Sequence, residues 1–210
     1  MPLIEIKNAS VVYNEGSDNQ VNALLGASLE IEPQEYIIIF GPSGCGKSTL
    51  LNVIAGLEKP THGEAYIDSE DLNEMNADQL AKFHCVKIGM IFQAYNILPS
   101  LSVRDNIILP QMFLGANDRK NRRAKADKLL DKFGILAQAN KAPSELSGGQ
   151  QQRIGIARAL INDQPIVLAD EPVGNLDSKS AQNVLDILKE LNEKDKKTII
   201  MVTHNPEYLD

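Results

Sequence analysis

The stretch Gly41-Pro42-Ser43-Gly44-Cys45-Gly46-Lys47-Ser48 has the pattern G-x-x-x-x-G-K-S. It follows the apolar run Tyr36–Phe40 and precedes a helical pattern over residues 48–55. A strand, a glycine-rich turn and a helix form the context in which this pattern binds nucleotide phosphates. The glycines let backbone N–H groups turn inward around a phosphate, and the dipole of the following helix favours negative charge. The stretch therefore predicts a phosphate-binding loop in a protein that mixes strands and helices.

The residues of this phosphate loop have separate expected roles. The Lys47 ammonium should reach the β- and γ-phosphates of a nucleotide, and the Ser48 hydroxyl should bind Mg²⁺. Thr49 has two open interpretations, contact with the α-phosphate or capping of the helix. We interpret Cys45 as a small residue tolerated in the loop, with redox sensing as the alternative. The backbone of the loop is expected to contact the nucleotide at Gly41, Ser43, Gly44, Cys45 and Gly46.

Three further apolar runs resemble Tyr36–Phe40, namely Ile88–Phe92, residues 166–169 and Thr198–Thr203. Continuous β-branched runs without alternation indicate strands buried on both faces, as in a parallel sheet. Helical patterns over residues 48–55, 118–133 and 150–161, and one capped by Asp177 or Ser178, separate these strands. Alternating strands and helices predict an α/β fold with a mainly parallel sheet.

The rest of the chain predicts two additions to this core. Residues 3–7, 27–32 and 63–68 alternate between apolar and polar side chains, which predicts an antiparallel β layer. Residues from about 94 to 164 look mainly helical. We expect one unit over residues 1–210, with a nucleotide-binding core at about 1–93 and 165–210 and a helical subdomain at about 94–164.

Polar residues follow each of the four buried strands. They are the phosphate loop, Gln93, the pair Asp170-Glu171, and His204. Ligands of parallel α/β sheets bind at the carboxyl ends of the strands, so the active site is expected there. Asp170 can hold Mg²⁺, and Glu171 can polarise the attacking water.

A second glycine-rich turn, Leu146-Ser147-Gly148-Gly149-Gln150, opens the helical pattern over residues 150–161. Free N–H groups at a helix N-terminus form an anion site. This turn lies in the helical segment and has no Mg²⁺ ligands of its own, so we expect it to complete the phosphate loop of another copy. The alternative is an ordinary helix start, which Ser147 also suits.

Composition excludes several classes of protein. Hydrophobic residues make up 43% of the sequence and charged residues 23%, which is typical of globular chains and unlike disordered ones. The net charge of −7 has the wrong sign for a protein that wraps nucleic acid. The two cysteines lack metal-ligand spacing and no targeting segment is recognised, which favours a reducing cytoplasm. No apolar run approaches the roughly 20 residues that span a bilayer.

Residues 146–150, together with the phosphate loop and residues 166–171, closely resemble the nucleotide-binding subunit of ATP-binding cassette (ABC) transporters. The resemblance covers essentially the whole chain. It implies transport-coupled ATP hydrolysis with Mg²⁺ by a head-to-tail homodimer, in which two ATP molecules lie between phosphate loop and signature loop (residues 146–150). It also implies an integral membrane permease partner, no nucleic acid, and no insertion into the membrane by this chain. The implied location is cytoplasmic, peripheral on the inner face of the cell membrane.

The resemblance assigns roles to further residues. Tyr13 matches the aromatic residue that stacks on adenine, and Gln93 matches the glutamine that joins the Mg²⁺ site to the helical subdomain. His204 matches the histidine that contacts the γ-phosphate. The signature contacts to nucleotide fall on Ser147, Gly148, Gly149 and Gln150. Asn175-Leu176-Asp177 matches the dimer-contact loop, although the serine-alanine form common elsewhere is absent.

Residues 99–110 and 147–153 resemble the macrolide-export and lipoprotein-release class of these ATPases, although Val173 stands where that class commonly has threonine. A soluble ABC ATPase without a transporter is the alternative function. A P-loop kinase would have no use for the signature loop. The family usually continues beyond Asn205-Pro206, where a helix start is expected, and every matched site residue precedes that point.

Overall fold

The computed structural model describes residues 1–115 and 118–208. Strands and helices alternate along most of this chain, as the sequence predicts. The elements, in chain order, are β1 (Ile4–Tyr13), β2 (Val21–Ile31), β3 (Tyr36–Phe40), α1 (Lys47–Ala55), β4 (His62–Ile67), β5 (Glu70–Asp71), α2 (Ala77–Lys87), β6 (Ile88–Phe92), α3 (Val103–Phe113), α4 (Arg119–Lys132), α5 (Gly148–Ala159), β7 (Ile166–Asp170), α6 (Ser178–Glu193) and β8 (Thr198–Thr203).

The four apolar runs form one parallel sheet with the strand order β3-β8-β7-β6. Its register aligns the carboxyl ends, because Phe40 pairs with Thr203, and Asp170 pairs with both Val202 and Phe92. The polar residues that follow these strands therefore share one edge of the sheet. The prediction of a parallel core is confirmed.

The two faces of this sheet bury different cores, because successive side chains of a strand point to opposite faces. Ile166 and Leu168 of β7 pack with α1 and with the inward face of the antiparallel sheet. Val167 and Ala169 of the same strand pack with α3, α4, α5 and α6. The central strands β7 and β8 are thus buried on both sides.

Strand β3 departs from the expectation of burial on both faces. It is an edge strand of the parallel sheet, paired only with β8 among the described residues. Its first four residues are half-buried, and Phe40 is 46% exposed. An apolar run alone does not distinguish an edge strand from a central one.

The antiparallel layer is confirmed, with the strand order β2-β1-β4-β5, but β1 and β2 are longer than predicted. The pairing of β1 with β2 is interrupted by register shifts between Ile6 and Ala9 and around Val11. Asn8, which lies between Ile6 and Ala9 on β1, and Gly26 on β2 both have left-handed backbones. Bulges of this kind break the two-residue alternation on which the prediction relied.

Helix ends differ from prediction by one or two residues. Helix α5 begins at Gly148 because the Ser147 hydroxyl accepts a hydrogen bond from the Gln150 N–H, and the Gln150 side chain accepts one from the Ser147 N–H. Asp177 caps α6, and hydrogen bonds from Ser180 lower the pKa of its carboxyl. A short 3₁₀ turn, Pro206–Tyr208, follows Asn205. Within residues 1–115 and 118–208, no helix has the length and apolarity needed to cross a membrane.

Candidate active site at the carboxyl edge of the parallel sheet

The phosphate loop depends on a close approach between two segments of backbone. Gly46 caps α1 with a φ of 93°, in the left-handed region that glycine adopts without strain. A β-carbon at this position would lie 2.5 Å from the carbonyl oxygen of Ala23 on β2. No side chain caps α1, so the capping interpretation of Thr49 is wrong. The first N–H groups of α1 are therefore available to a ligand.

Lys47 is 8% exposed, and its ammonium contacts the backbone of the loop. It donates hydrogen bonds to the carbonyl oxygens of Gly41 and Pro42, both at 2.8 Å. Among the described residues, no carboxylate lies within 4.0 Å of it. Its charge is therefore solvated by neutral dipoles, which an anion can replace with a stronger, charge-assisted partner.

Ser48 and Asp170 meet between α1 and β7. The Ser48 hydroxyl donates to Asp170 Oδ1 at 3.1 Å. Burial raises the pKa of Asp170, and the hydrogen bond from Ser48 acts in the opposite direction. A half-buried carboxylate beside a hydroxyl is an oxygen pair suited to Mg²⁺, which usually takes one or two protein ligands and completes its shell with phosphates and water. Accordingly, the described residues contain no cluster of three or more acidic, His or Cys side chains able to hold a metal ion alone.

Glu171 and His204 form a second pair at the same edge. His204 Nδ1 lies 2.6 Å from the Glu171 carboxylate, whose side chain is 16% exposed. Glu171 has a φ of 48°, an uncommon left-handed conformation for a non-glycine residue. Its N–H donates to the carbonyl of Val202, which continues the pairing of β7 with β8 for one residue. The sequence placed both residues at this edge but did not predict their contact.

Gln93 follows β6 and contacts the loop after the acid pair. The Asn175 side chain donates to the Gln93 carbonyl at 3.1 Å. A β-carbon on Gly174 would lie 2.7 Å from Gln93 Nε2. The structure therefore brings Gln93 against residues 174–175, three to four positions after Glu171.

The signature loop lies at the start of α5, with Ser147 exposed. Its glycines fit closely against neighbours, because a β-carbon on Gly149 would lie 2.9 Å from the Ser180 hydroxyl. Within one chain, no hydrogen bond recorded for the described residues joins this loop to the phosphate loop.

Tyr13 ends β1 with its side chain 42% exposed. Its hydroxyl donates to Glu58 Oε2 at 3.2 Å. Partial burial and the neighbouring Glu58 raise the pKa of this hydroxyl. The ring is therefore held in place at one end while it remains accessible.

Sequence reasoning missed Tyr95 and Arg158. Arg158 donates hydrogen bonds to the carbonyls of Tyr95 and Asn96, just after Gln93. The sequence could have indicated Arg158, because this charged residue lies four positions after Ile154 and next to Ala157, on the apolar side of α5. A charged side chain at such a position needs a partner, which only the fold could identify.

Comparison with known proteins matches the sequence profile of the family described as ABC transporter to residues 24–174, more than half of the chain. An uncharacterized ABC transporter ATP-binding protein, MJ0796 of Methanocaldococcus jannaschii, is 46% identical over 207 residues, which cover 97% of this chain and 87% of the relative. The macrolide export ATP-binding/permease protein MacB of Mannheimia succiniciproducens is 46% identical over 205 residues, which cover 98% of this chain. This chain spans only 31% of that relative's length.

Solved structures agree with the sequence matches. The ATP-binding cassette MJ0796, as a dimer in a post-hydrolysis state bound to ADP and Pi, superposes with a TM-score of 0.89 at 43% identity. The superposition covers 98% of this chain and 89% of that one. A matched family profile over most of the chain, together with this shared fold, shows that the chain belongs to the ABC transporter family.

Proposed function

We propose that this chain is the ATP-binding and ATP-hydrolysing subunit of an ABC transporter, of the macrolide-export or lipoprotein-release type. The observation that carries the proposal is the placement of two side-chain pairs, Ser48 with Asp170 and Glu171 with His204, beside the phosphate loop. One pair suits a metal and the other suits an attacking water.

ATP binding starts at the phosphate loop. The Lys47 ammonium exchanges the Gly41 and Pro42 carbonyls for β- and γ-phosphate oxygens. Backbone N–H groups of the loop and of the first turn of α1 contact the phosphates, at Gly41, Ser43, Gly44, Cys45, Gly46 and Thr49. The exposed ring of Tyr13 stacks on adenine. Such stacking contributes about 1–3 kcal/mol and discriminates weakly between bases.

Mg²⁺ fits the oxygen donors of Ser48, Asp170 and the Gln93 amide. When bound, Mg²⁺ neutralises charge that develops on the phosphates during transfer. The Ser48 hydroxyl and the Asp170 carboxylate already lie 3.1 Å apart, so little rearrangement is needed to face a common ligand. Gln93 follows β6, whereas Asp170 ends β7. Gln93 therefore links this Mg²⁺ site to the helices that come after β6.

Glu171 accepts a proton from the attacking water, and His204 orients the Glu171 carboxylate through their hydrogen bond. The left-handed backbone of Glu171 turns its side chain out of the β7 register. Strain of this kind, held by the surrounding fold, is typical of functional sites. Once ATP is bound, His204 also contacts the γ-phosphate.

The active unit is a head-to-tail homodimer. Among the described residues, no hydrogen bond joins the signature loop to the phosphate loop of its own chain. Its residues Ser147, Gly148, Gly149 and Gln150 therefore complete the site of a second copy. A two-fold axis then forms two equivalent sites from one pair of surfaces. The dimeric state of the MJ0796 structures supports this arrangement.

The permease partner docks on an apolar groove of about 430 Å³ lined by α2, β6, α3 and the end of α5. Phe113, 78% exposed, and the exposed Leu57 and Leu98 line this groove. A contiguous apolar surface of this kind marks a protein contact. Relatives named ATP-binding/permease proteins support a membrane partner. With that partner bound, we expect the chain to lie peripherally on the cytoplasmic face of the membrane.

We divide the chain into a nucleotide-binding core (about 1–93 and 165–210) and a helical subdomain (about 94–164). Helices α3, α4 and α5 fall within the second part, and the parallel sheet within the first. Gln93 lies at the boundary between them.

Phosphate release from Mg²⁺-ATP by the purified chain, alone and with its permease, tests the proposal. We expect basal hydrolysis that rises when the permease is added. Phe113→Glu should abolish the rise and keep the basal rate, whereas the control Leu136→Glu, at an exposed apolar residue that does not line the groove, should keep both. Absence of hydrolysis by the wild-type chain in both preparations would contradict the proposal.

A further inference from the structure

The turn after Gln93 has an unusual backbone. Tyr95 and Asn96 both have left-handed φ values, 59° and 48°. Residues with a β-carbon adopt this conformation uncommonly, although Asn does so more readily than Tyr. Contacts from elsewhere in the fold can hold Tyr95 in this conformation.

Arg158 of α5 supplies those contacts. Its Nη2 donates to the Tyr95 carbonyl at 2.9 Å, and its Nη1 donates to the Asn96 carbonyl. In the part of the chain that the structure describes, no carboxylate lies within 4.0 Å of this half-buried guanidinium. Both terminal nitrogens of its planar fork are thus used to hold two successive carbonyls of one turn.

Tyr95 lies along the same face of α5. Its carbonyl oxygen is 3.7 Å from the position that a β-carbon on Gly155 would take, and its hydroxyl is 2.8 Å from the corresponding position on Gly148. Residues 148, 155 and 158 share one side of a helix, since seven residues are about two turns. The turn therefore contacts α5 from the signature loop to Arg158.

Helix α5 is itself fixed to the strand that ends at Gln93. A β-carbon on Gly89 of β6 would lie 2.2 Å from the carbonyl oxygen of Ala159, so only glycine permits this contact. Gln93 is therefore attached to α5 through β6 before the turn and through Arg158 after it.

We propose that Arg158 is a positioning residue, which holds the left-handed turn at Tyr95 and Asn96 so that the Gln93 amide faces the Ser48–Asp170 pair. This inference rests on the role of Gln93 in the proposed function. It adds that α5, the helix that begins at the signature loop, fixes the position of Gln93.

The test uses Arg158→Lys, which keeps the charge and the aliphatic stem but replaces the planar fork with a single ammonium. The matched control is Arg153→Lys, because Arg153 is half-buried on the same helix and donates to the carbonyl of Phe133, far from the turn. Gln93→Ala and the double variant Gln93→Ala/Arg158→Lys complete a cycle.

Amide hydrogen exchange of the nucleotide-free chain gives the first readout, which depends on neither metal nor activity. We expect the N–H groups of Tyr95 and Asn96 to exchange about tenfold faster in Arg158→Lys, since charge-assisted hydrogen bonds to the turn are lost. Arg153→Lys should leave them unchanged. Equal exchange in Arg158→Lys and the wild type would overturn the inference.

The kinetic readout separates positioning from simple loss of stability. Arg158→Lys should lower kcat about tenfold and raise the Mg²⁺ concentration for half-maximal rate, without changing ATP affinity measured in EDTA. In a chain that already carries Gln93→Ala, Arg158→Lys should cause no further loss of kcat. If the losses of kcat from the two substitutions add in the double variant, this inference alone is overturned. If Gln93→Ala is unimpaired, the proposed role of Gln93 is overturned and this inference with it.

Discussion

Replacing Glu171 by glutamine removes proton acceptance with little other change. The Glu171 carboxylate lies 2.6 Å from His204 Nδ1, and a glutamine carbonyl oxygen can keep that hydrogen bond. The backbone N–H still donates to Val202, and glutamine has the same size in the same left-handed conformation. The loss therefore reports the contribution of the general base rather than of the fold.

That contribution sets the expected magnitude. A positioned general base accelerates a reaction roughly 10²–10⁴-fold. At 1.36 kcal/mol per factor of ten, this corresponds to about 3–5 kcal/mol of barrier. We expect Glu171→Gln to lower kcat by that factor, to leave ATP affinity unchanged, and to prolong the life of the ATP-bound dimer.

Phosphate release at saturating Mg²⁺-ATP measures the rate, and size-exclusion chromatography with light scattering measures the dimer. Glu190→Gln is the control, since Glu190 pairs only with Lys194 on the surface of α6. Turnover of Glu171→Gln close to that of the control would refute the assignment of Glu171 as the base.

Four further substitutions test the site around Glu171. Lys47→Ala removes the charge-assisted contact to phosphate, so calorimetry should show ATP affinity reduced at least tenfold, and unchanged affinity would mean that the phosphate loop is misplaced. Gly46→Ala and Gly44→Ala both place a β-carbon at left-handed φ, 93° and 80°, which costs about 1–2 kcal/mol. Only Gly46→Ala also meets a backbone oxygen at 2.5 Å, so its Tm should fall further than that of Gly44→Ala, and equal melting of the two would contradict the close approach. Asp170→Asn should abolish hydrolysis yet raise the Tm in EDTA, since a carboxyl whose folded pKa is raised by burial destabilises the fold once ionised, and a lower Tm would contradict that sign.

Much of the core could be predicted from the sequence, because the signals are local. The runs Tyr36–Phe40, Ile88–Phe92 and Thr198–Thr203 coincide with strands, and Asp177 caps α6. Helix α2 was missed, although Asn76 and Gln79 form a capping box whose spacing is visible in the sequence.

The contacts that the sequence could not supply join residues far apart in the chain. The approach of Gly46 to Ala23 and the pair Glu171–His204 depend on how strands are ordered in space. The hydrogen bonds from Arg158 to the turn after Gln93 depend on how α5 packs on β6. Local patterns place such residues at an edge or on a face, but side-chain direction follows from the tertiary fold.

The most direct test of the account asks whether one active site needs two chains. Ser147→Glu blocks the signature loop at an exposed helix cap, where an acid is compatible with the helix dipole, and Lys47→Ala disables the phosphate loop. A mixed dimer has one intact site, formed by the phosphate loop of the Ser147→Glu chain and the signature loop of the Lys47→Ala chain.

The measurement is phosphate release by each variant alone and by their equal mixture. The account predicts that both variants alone are inactive, and that the mixture regains up to about a quarter of wild-type activity, since half of the dimers are mixed and half of their sites are intact. Wild-type turnover by the Ser147→Glu chain alone would contradict the two-chain active site.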